Sequence, residues 1–283
     1  MTLQELKEML ARSVPEDPEN TIRAAYALRP ELAGTPYYEA PLVGCAAADD
    51  PLFAQFKADP NIYGSALRLP EEWLPDAKCV ISVFLPFAEE VRRSNTPNLE
   101  EPSDQWLHGR IEGQAFLEEI CRRIAGWLEA EGYQAVIPAI HEDFCIRRDP
   151  ARKELGQPVF ASNWSERHAA FAAGLGTFGL SKHIITEKGV CGRFGSVITD
   201  APLEVTPRPY TEPYEYCTFC GACIRRCPVN AIFPEGKDVE LCSDYVDDTR
   251  RRHAPRFGCG KCQLAVPCTT RIPARLRRKA SDD

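Results

Sequence analysis

Apolar residues recur along this chain at two spacings, and each spacing predicts a different element. Near the start, Leu3, Leu6 and Leu10 share one face of a 3.6-residue period, with Thr2 and Glu5 placed ahead of them as a capping box. That pattern predicts an amphipathic helix. A longer helical pattern covers 111–132, apolar at Phe116, Leu117, Ile120, Ile124, Trp127 and Leu128 and stopped by Gly132. Unbroken apolar, β-branched runs at 41–46, at 79–85 (closed by Pro86) and at 135–140 predict buried strands. Asn163-x-x-Glu166 is placed to cap a helix reaching Ala173, and 184–186 with 195–199 reads as a closing hairpin.

Gly174, Gly176 and Gly179 match G-x-G-x-x-G. A dinucleotide site needs those glycines after a strand and before a helix, so that pyrophosphate meets the helix N-terminus. Here a helix comes first and an extended segment follows, so the pattern reads as a helix stop at Gly174 and a turn that permits close backbone approach. Pro202, Pro207, Pro209 and Pro213 then interrupt any helix or central strand. They divide the chain into an N-terminal α/β domain, 1–205, and a cysteine-rich module, 206–283. The expected class is α+β.

The 283 residues suffice for one large or two smaller cores, and no apolar run approaches a bilayer span. The first ten residues have neither the basic nor the apolar region of a signal peptide, so a cytoplasmic protein is expected. The net charge is −7, yet from residue 241 onward ten Lys/Arg stand against five Asp/Glu. An acidic body is a poor nucleic-acid surface; the basic end, Arg250 to Arg252 and then Arg275, Arg277, Arg278 and Lys279, is either a solvated face or a docking patch for an acidic redox partner.

Thirteen cysteines change the picture, because eight of them crowd into one stretch. Cys217, Cys220, Cys223 and Cys227 follow the ferredoxin spacing C-x2-C-x2-C-x3-C-P, and Cys242, Cys259, Cys262 and Cys268 follow. Two intervening residues let consecutive sulfurs face one centre, while the Pro-flanked fourth reaches the other cluster. Eight thiolates suit two [4Fe-4S] clusters: Cys217, Cys220, Cys223 and Cys268 on one, Cys227, Cys242, Cys259 and Cys262 on the other. A zinc site would use two C-x2-C knuckles, and three cysteines at consecutive two-residue gaps crowd a tetrahedral ion. Disulfide frameworks belong to small secreted chains.

The stretch Ser165-Glu-Arg-His-Ala-Ala-Phe-Ala-Ala-Gly-Leu-Gly-Thr-Phe-Gly, then Ile184-Ile-Thr and Gly192-Arg-Phe-Gly-Ser-Val-Ile-Thr, resembles the epoxyqueuosine reductase family, as does the cysteine module with Cys259-Gly-Lys-Cys262-Gln263. The resemblance runs in order over roughly 41–268. It implies a plan like that of reductive dehalogenases: a nitroreductase-like domain holding cobalamin, followed by a ferredoxin-like module whose clusters deliver electrons to the cobalt. Gly174, Gly176, Gly179, Arg193 and Gly195 are the implied cofactor contacts. FMN in the same domain is the less favoured alternative.

Two stretches depart from the family. Its proton-donating Asp has no counterpart in Val159-Phe-Ala-Ser-Asn-Trp-Ser165, and its Lys-Asn pair is replaced by Leu180 and Ser181. The chain also ends soon after Cys268, where longer members carry a tRNA-binding extension, so tRNA is not the expected partner. What is expected is a reductase for an unknown small molecule, fed by a redox partner protein or a small reductant. The alternative is an electron carrier that reduces a separate corrinoid or flavin protein. Tyr133, His141, Glu142 and Asp143 are unranked proton-donor candidates. Arg167 and Arg193 suit either phosphate and propionamide contacts or ordinary ion pairs. His168, His183 and Cys191 read as packing residues before ligands.

Overall fold

The computed structural model describes residues 2–148 and 159–274. Helix α1 (Leu3–Glu16) is fixed by the capping box: the Thr2 hydroxyl accepts from the Glu5 N–H at 3.2 Å, and the Glu5 carboxylate accepts from the Thr2 N–H at 2.7 Å. Strand β1 (Leu42–Ala47), helix α2 (Pro51–Ala58), the short α3 (Pro70–Trp73) and β2 (Cys79–Pro86) follow. Next come α4 (Glu89–Ser94), α5 (Asp104–Ala130), β3 (Ala135–Val136), β4 (Ile146–Arg148), β5 (Phe160–Ser162) and α6 (Glu166–Ala172). The body closes with β6 (Gly176–Phe178), β7 (Ile184–Thr186) and β8 (Gly192–Thr199); the module adds α7 (Ala222–Arg225), β9 (Ile232–Phe233), β10 (Gly236–Lys237) and α8 (Val239–His253).

The main sheet is antiparallel, in the order β1-β2-β8-β3. Strand β2 is buried throughout, and its period of two sends alternate residues into two cores. Cys79, Ile81, Val83 and Leu85 join Leu6 and Leu10 of α1 and Leu117, Ile120 and Ile124 of α5. Val80 and Phe84 join Phe53 and Phe56 of α2 and Ala169 to Ala172 of α6. The sheet is thus the middle of three layers. Among the described residues no helix is long and apolar enough to cross a membrane.

Four local expectations are corrected. Helix α5 starts at Asp104, well before 111, because Ser103 Oγ caps it by accepting from the Trp106 N–H at 3.2 Å. The third strand stops at Val136, since Pro138 opens a 3-10 turn. Asn163 does not cap α6: its side chain accepts from the Cys145 N–H at 3.0 Å and donates to the Asp143 carbonyl at 2.8 Å, leaving Ser165 at the N-cap. Strands β7 and β8 form no hairpin, because β7 pairs with β6 while β8 lies between β2 and β3.

The proline-rich segment has no helix or strand between 202 and 211, but it is strapped to the body. Thr206 N–H donates to the Cys45 carbonyl at 2.8 Å, Tyr210 Oη–H to the Phe171 carbonyl at 2.7 Å, and Phe178 N–H to the Pro213 carbonyl at 2.7 Å. The module is held just as firmly at its far end. Val190 N–H donates to the Cys268 carbonyl at 2.8 Å, and a Cβ on Gly260 would overlap the Trp106 ring of α5. Arg275 to Lys279 of the basic end lie outside the described residues.

Candidate metal centres and the cleft beside them

Cys217, Cys220 and Cys223 sit on a tight loop whose turns use left-handed backbone at Phe219 (φ 50°) and Gly221 (φ 69°). Cys268 arrives from the opposite end of the module, and the four thiols line one cavity walled by Leu180, Ile185 and Val266. Burial pushes the Cys268 thiol up to about 12, and the neighbouring Cys217, Cys223 and Cys220 push the same way. Four thiols so placed resist ionising together, and bound iron reverses this by deprotonating its thiol ligands outright. Cys220 is exposed at the outer edge.

The second quartet is assembled from three places. Cys227 Sγ accepts from the Ala231 N–H at 3.2 Å, Cys242 rides the first turn of α8, and Cys259 and Cys262 flank a turn at Gly260 (φ 71°). Burial raises Cys259 to about 11, with Cys242 and Cys227 adding to it. Burial raises Cys262 to about 12, with Cys259, Cys242 and Cys223 of the first quartet adding to it. All thirteen cysteines are free thiols, and among the described residues no three His, Cys, Asp or Glu side chains are gathered closely enough to hold a single metal ion.

Arginines gather around α5, β8 and Phe257. Arg193 of β8 donates through Nε–H to Gln114 Oε1 at 2.9 Å, and Arg110 stands one turn before Gln114 on α5. The Arg110 guanidinium lies 4.8 Å over the Phe257 ring, and Arg250 lies 3.9 Å over the same ring. Arg167 on α6 is exposed to solvent. Burial, then Arg193, lowers Arg110 to about 9. Burial and Arg193 also lower Arg167, against the opposite pull of Cys262 and Cys242.

The two histidines at the glycine turn are packed into the protein and hydrogen-bonded to side chains. His168 Nδ1 meets Ser165 Oγ at 2.8 Å, its ring nests among Phe56, Phe178 and Tyr63, and burial drops it to about 3. His183 contacts Gln263 Nε2 at 3.1 Å and Ser181 Oγ at 3.3 Å, and burial holds it well below its ordinary range.

The glycines pack against the protein itself. A Cβ on Gly176 (φ 156°) would overlap the Ile185 carbonyl oxygen, one on Gly174 (φ 79°) would press on the Pro207 carbonyl, and one on Gly179 would meet Ile185 Cδ1 at 3.2 Å. Gly195 faces Cys121 and Leu117 and so lets α5 close on β8. Of the residues singled out as cofactor contacts, Arg193 is held by Gln114 of α5. Leu180 and Ser181, which stand where the family has Lys-Asn, line the first cavity. Asp143 is ion-paired with Arg68 at 2.9 Å, which holds its carboxyl below the usual range, the wrong direction for a proton donor.

Three residues escaped the sequence reading. Arg110 hides in a stretch whose helical character was not recognised. Lys261, between two cysteine ligands, is buried and donates to Asn95 Oδ1 at 2.6 Å, the Asn95 carbonyl at 3.1 Å and the Glu101 carbonyl at 2.7 Å. Glu166, read only as a cap partner, has both carboxylate oxygens buried and without a hydrogen-bond partner. The Ser196 hydroxyl accepts from the Trp164 indole N–H at 2.9 Å, and burial raises Glu166 to about 7, with Ser196 offsetting only part of it.

The 4Fe-4S binding domain family matches residues 211–233, the stretch that carries Cys217, Cys220, Cys223 and Cys227. An iron–sulfur protein built on a mixed helix-and-sheet body is thus the class that fold and site define. Epoxyqueuosine reductase of Listeria monocytogenes is 30% identical over 140 residues, 46% of this chain and 36% of that one. Epoxyqueuosine reductase of Vibrio cholerae is 37% identical over 115 residues, 36% of this chain and 30% of that one. The matched part spans about a third of the length of these curated relatives. A crystal structure of epoxyqueuosine reductase with a modified tRNA stem loop superposes with a TM-score of 0.51 at 19% identity, over 80% of this chain and 61% of that one. A catabolic reductive dehalogenase gives 0.52 at 18% identity, over 82% and 30%. These last two share the fold. The chain is an epoxyqueuosine reductase-like protein.

Proposed function

We propose that this protein is a cytoplasmic reductase in which two [4Fe-4S] clusters pass electrons to a corrinoid held by the N-terminal body, for reduction of a small molecule. The observation that carries the reading is the 4Fe-4S binding match over 211–233, in a chain whose Cys217, Cys220, Cys223 and Cys268 line one cavity. The outer centre has Cys220 and Phe219 exposed, a surface where a redox partner protein or a small reductant would deliver electrons. The residues present fit a corrinoid. Gln263 Oε1 is buried without a partner and is free to accept an amide N–H, while Arg167 and Arg193 suit propionamide and phosphate oxygens.

The corrinoid would supply the cobalt redox chemistry. The chain's own part is to orient it through those contacts and to exclude water with Phe257. Relatives act on tRNA, but the acidic body of this chain favours a small substrate, because phosphate neutralisation dominates nucleic-acid affinity. The test is titration of anaerobically reconstituted protein with cob(II)alamin, followed by EPR and absorbance. The reading expects a changed cobalt signal at stoichiometric addition and no change in the spectrum of added FMN. A signal that stays that of free cofactor would hand the case to an electron carrier.

A further inference from the structure

Every segment that carries a cysteine of the second, inner quartet also donates a hydrogen bond to one loop of the body, the α4–α5 connection at 95–103. Arg226, next to Cys227, donates through Nη2 to the Thr96 carbonyl at 2.8 Å. Tyr245, one turn after Cys242 on α8, donates its hydroxyl to the Glu100 carbonyl. Lys261, between Cys259 and Cys262, donates to Asn95 and to the Glu101 carbonyl, and the Asn95 amide donates back to the Cys259 carbonyl at 2.8 Å. The Glu101 carboxylate pairs with Arg252 and meets His253 Nε2 at 2.8 Å, both at the end of α8. Asn95 is the hub. It is buried, and its Oδ1 accepts both from Lys261 and from the Ser103 N–H at 2.9 Å, just where α5 begins.

Charge makes this contact conditional. The Lys261 ammonium is buried, all three of its acceptors are neutral, and the Arg226 guanidinium, which donates to the Lys261 carbonyl at 3.2 Å, adds a second cation. A buried charge is costly without a counter-charge. Free thiols are uncharged at neutral pH, whereas iron binding turns the quartet into thiolates with a net negative charge. We propose that 95–103 is a latch that closes on the inner centre only when that centre holds its cluster, with Lys261 as the sensor and Asn95 as the residue that positions it. The inference rests on the reading of the inner quartet as a [4Fe-4S] ligand set and is independent of the corrinoid. Without iron, Lys261 loses its counter-charge and the ligand-bearing segments lose their common anchor, so the loop's partners slacken together. The body would thereby dock fully only against a loaded module.

The experiment is anaerobic amide hydrogen exchange across 95–103, read by mass spectrometry, with iron counted on the same samples. The parent and Cys220→Ser, which keep the inner cluster, should protect the loop equally, and Cys242→Ser, which lacks it, should exchange there about tenfold faster or more. Two further variants, each made with and without Cys242→Ser, separate the latch from a general loosening of iron-free protein. Lys261→Met removes the charge, so adding Cys242→Ser should change exchange by less than about threefold. Asn95→Asp gives the ammonium a counter-ion of its own, so the loop should stay protected when the cluster is absent. If Lys261→Met fails to load iron, Asn95→Asp alone decides. Equal exchange in the parent and Cys242→Ser would overturn the proposal, and so would the full loss of protection in the Asn95→Asp or Lys261→Met background. About eight irons with an unresponsive loop would remove the latch alone; about four in the parent, all lost in Cys220→Ser, would remove the inner cluster and the latch with it.

Discussion

Glu166 and Lys261 are the two buried charges whose environments make measurable demands. Burial raises the Glu166 carboxyl from its ordinary 4.5 to about 7, so as pH climbs the unfolded chain gives up this proton before the folded one does. Stability should therefore fall between about pH 4.5 and 7, by up to about 3 kcal/mol, and stay down above that. Glu166→Gln removes the slope. The variant should match the parent near pH 4.5 and exceed it by up to that amount at pH 8 in denaturant midpoints; a difference independent of pH would count against the buried, unpaired carboxyl. Lys261 meets only neutral acceptors, and burial lowers it to about 8, so its charge is answered chiefly by the thiolates beside it. Net charge and hydrogen bonding set cluster potentials. Lys261→Met should lower the midpoint potential of the inner cluster, on the order of tens of millivolts, and leave the outer one nearly unmoved. EPR-monitored redox titration separates the two, and an equal shift in both would contradict the placement.

At the scale of elements, the β6–β7 pair links the body to the outer centre, because Ile185 lines that cavity and a side chain at Gly176 would strike its carbonyl. Gly176→Val should therefore cost the outer cluster first, giving about four irons per chain in place of about eight. Full iron loading with only the corrinoid weakened would instead make the glycine turn a cofactor cradle. Much of the fold was legible: α1 with its capping box, most of α5, and strands β1 and β2 all follow from local periodicity. The misses have local physical causes. Residues 104–110 include Asp, Gln, His, Gly and Arg, which blur a helical stripe, and Pro138 ends a run that reads as a strand. The partners of β7 and β8 are set by packing between distant segments, which no window of sequence contains. The eight cysteines were legible from spacing alone. The arginine grouping was not, because Arg193 reaches Gln114 of α5 only once Gly195 lets α5 lie against β8.

Across the whole molecule, the cysteine module is less an appended domain than a second wall of the site. The Pro-rich segment ties it to β1 and α6, Cys268 hydrogen-bonds ahead of β8, and Asn95 of the body donates to the Cys259 carbonyl at 2.8 Å. On the proposed reading, electrons would enter at Cys220 and pass through both quartets into the body. That path depends on two clusters with separate ligand sets, and its most direct test is iron and acid-labile sulfide per chain after anaerobic reconstitution, for the parent and for Cys220→Ser and Cys242→Ser. The account predicts about eight of each in the parent and about four in either variant, with different EPR signals surviving in the two. Four irons in the parent, bound zinc in their place, or the same residual signal in both variants would contradict it.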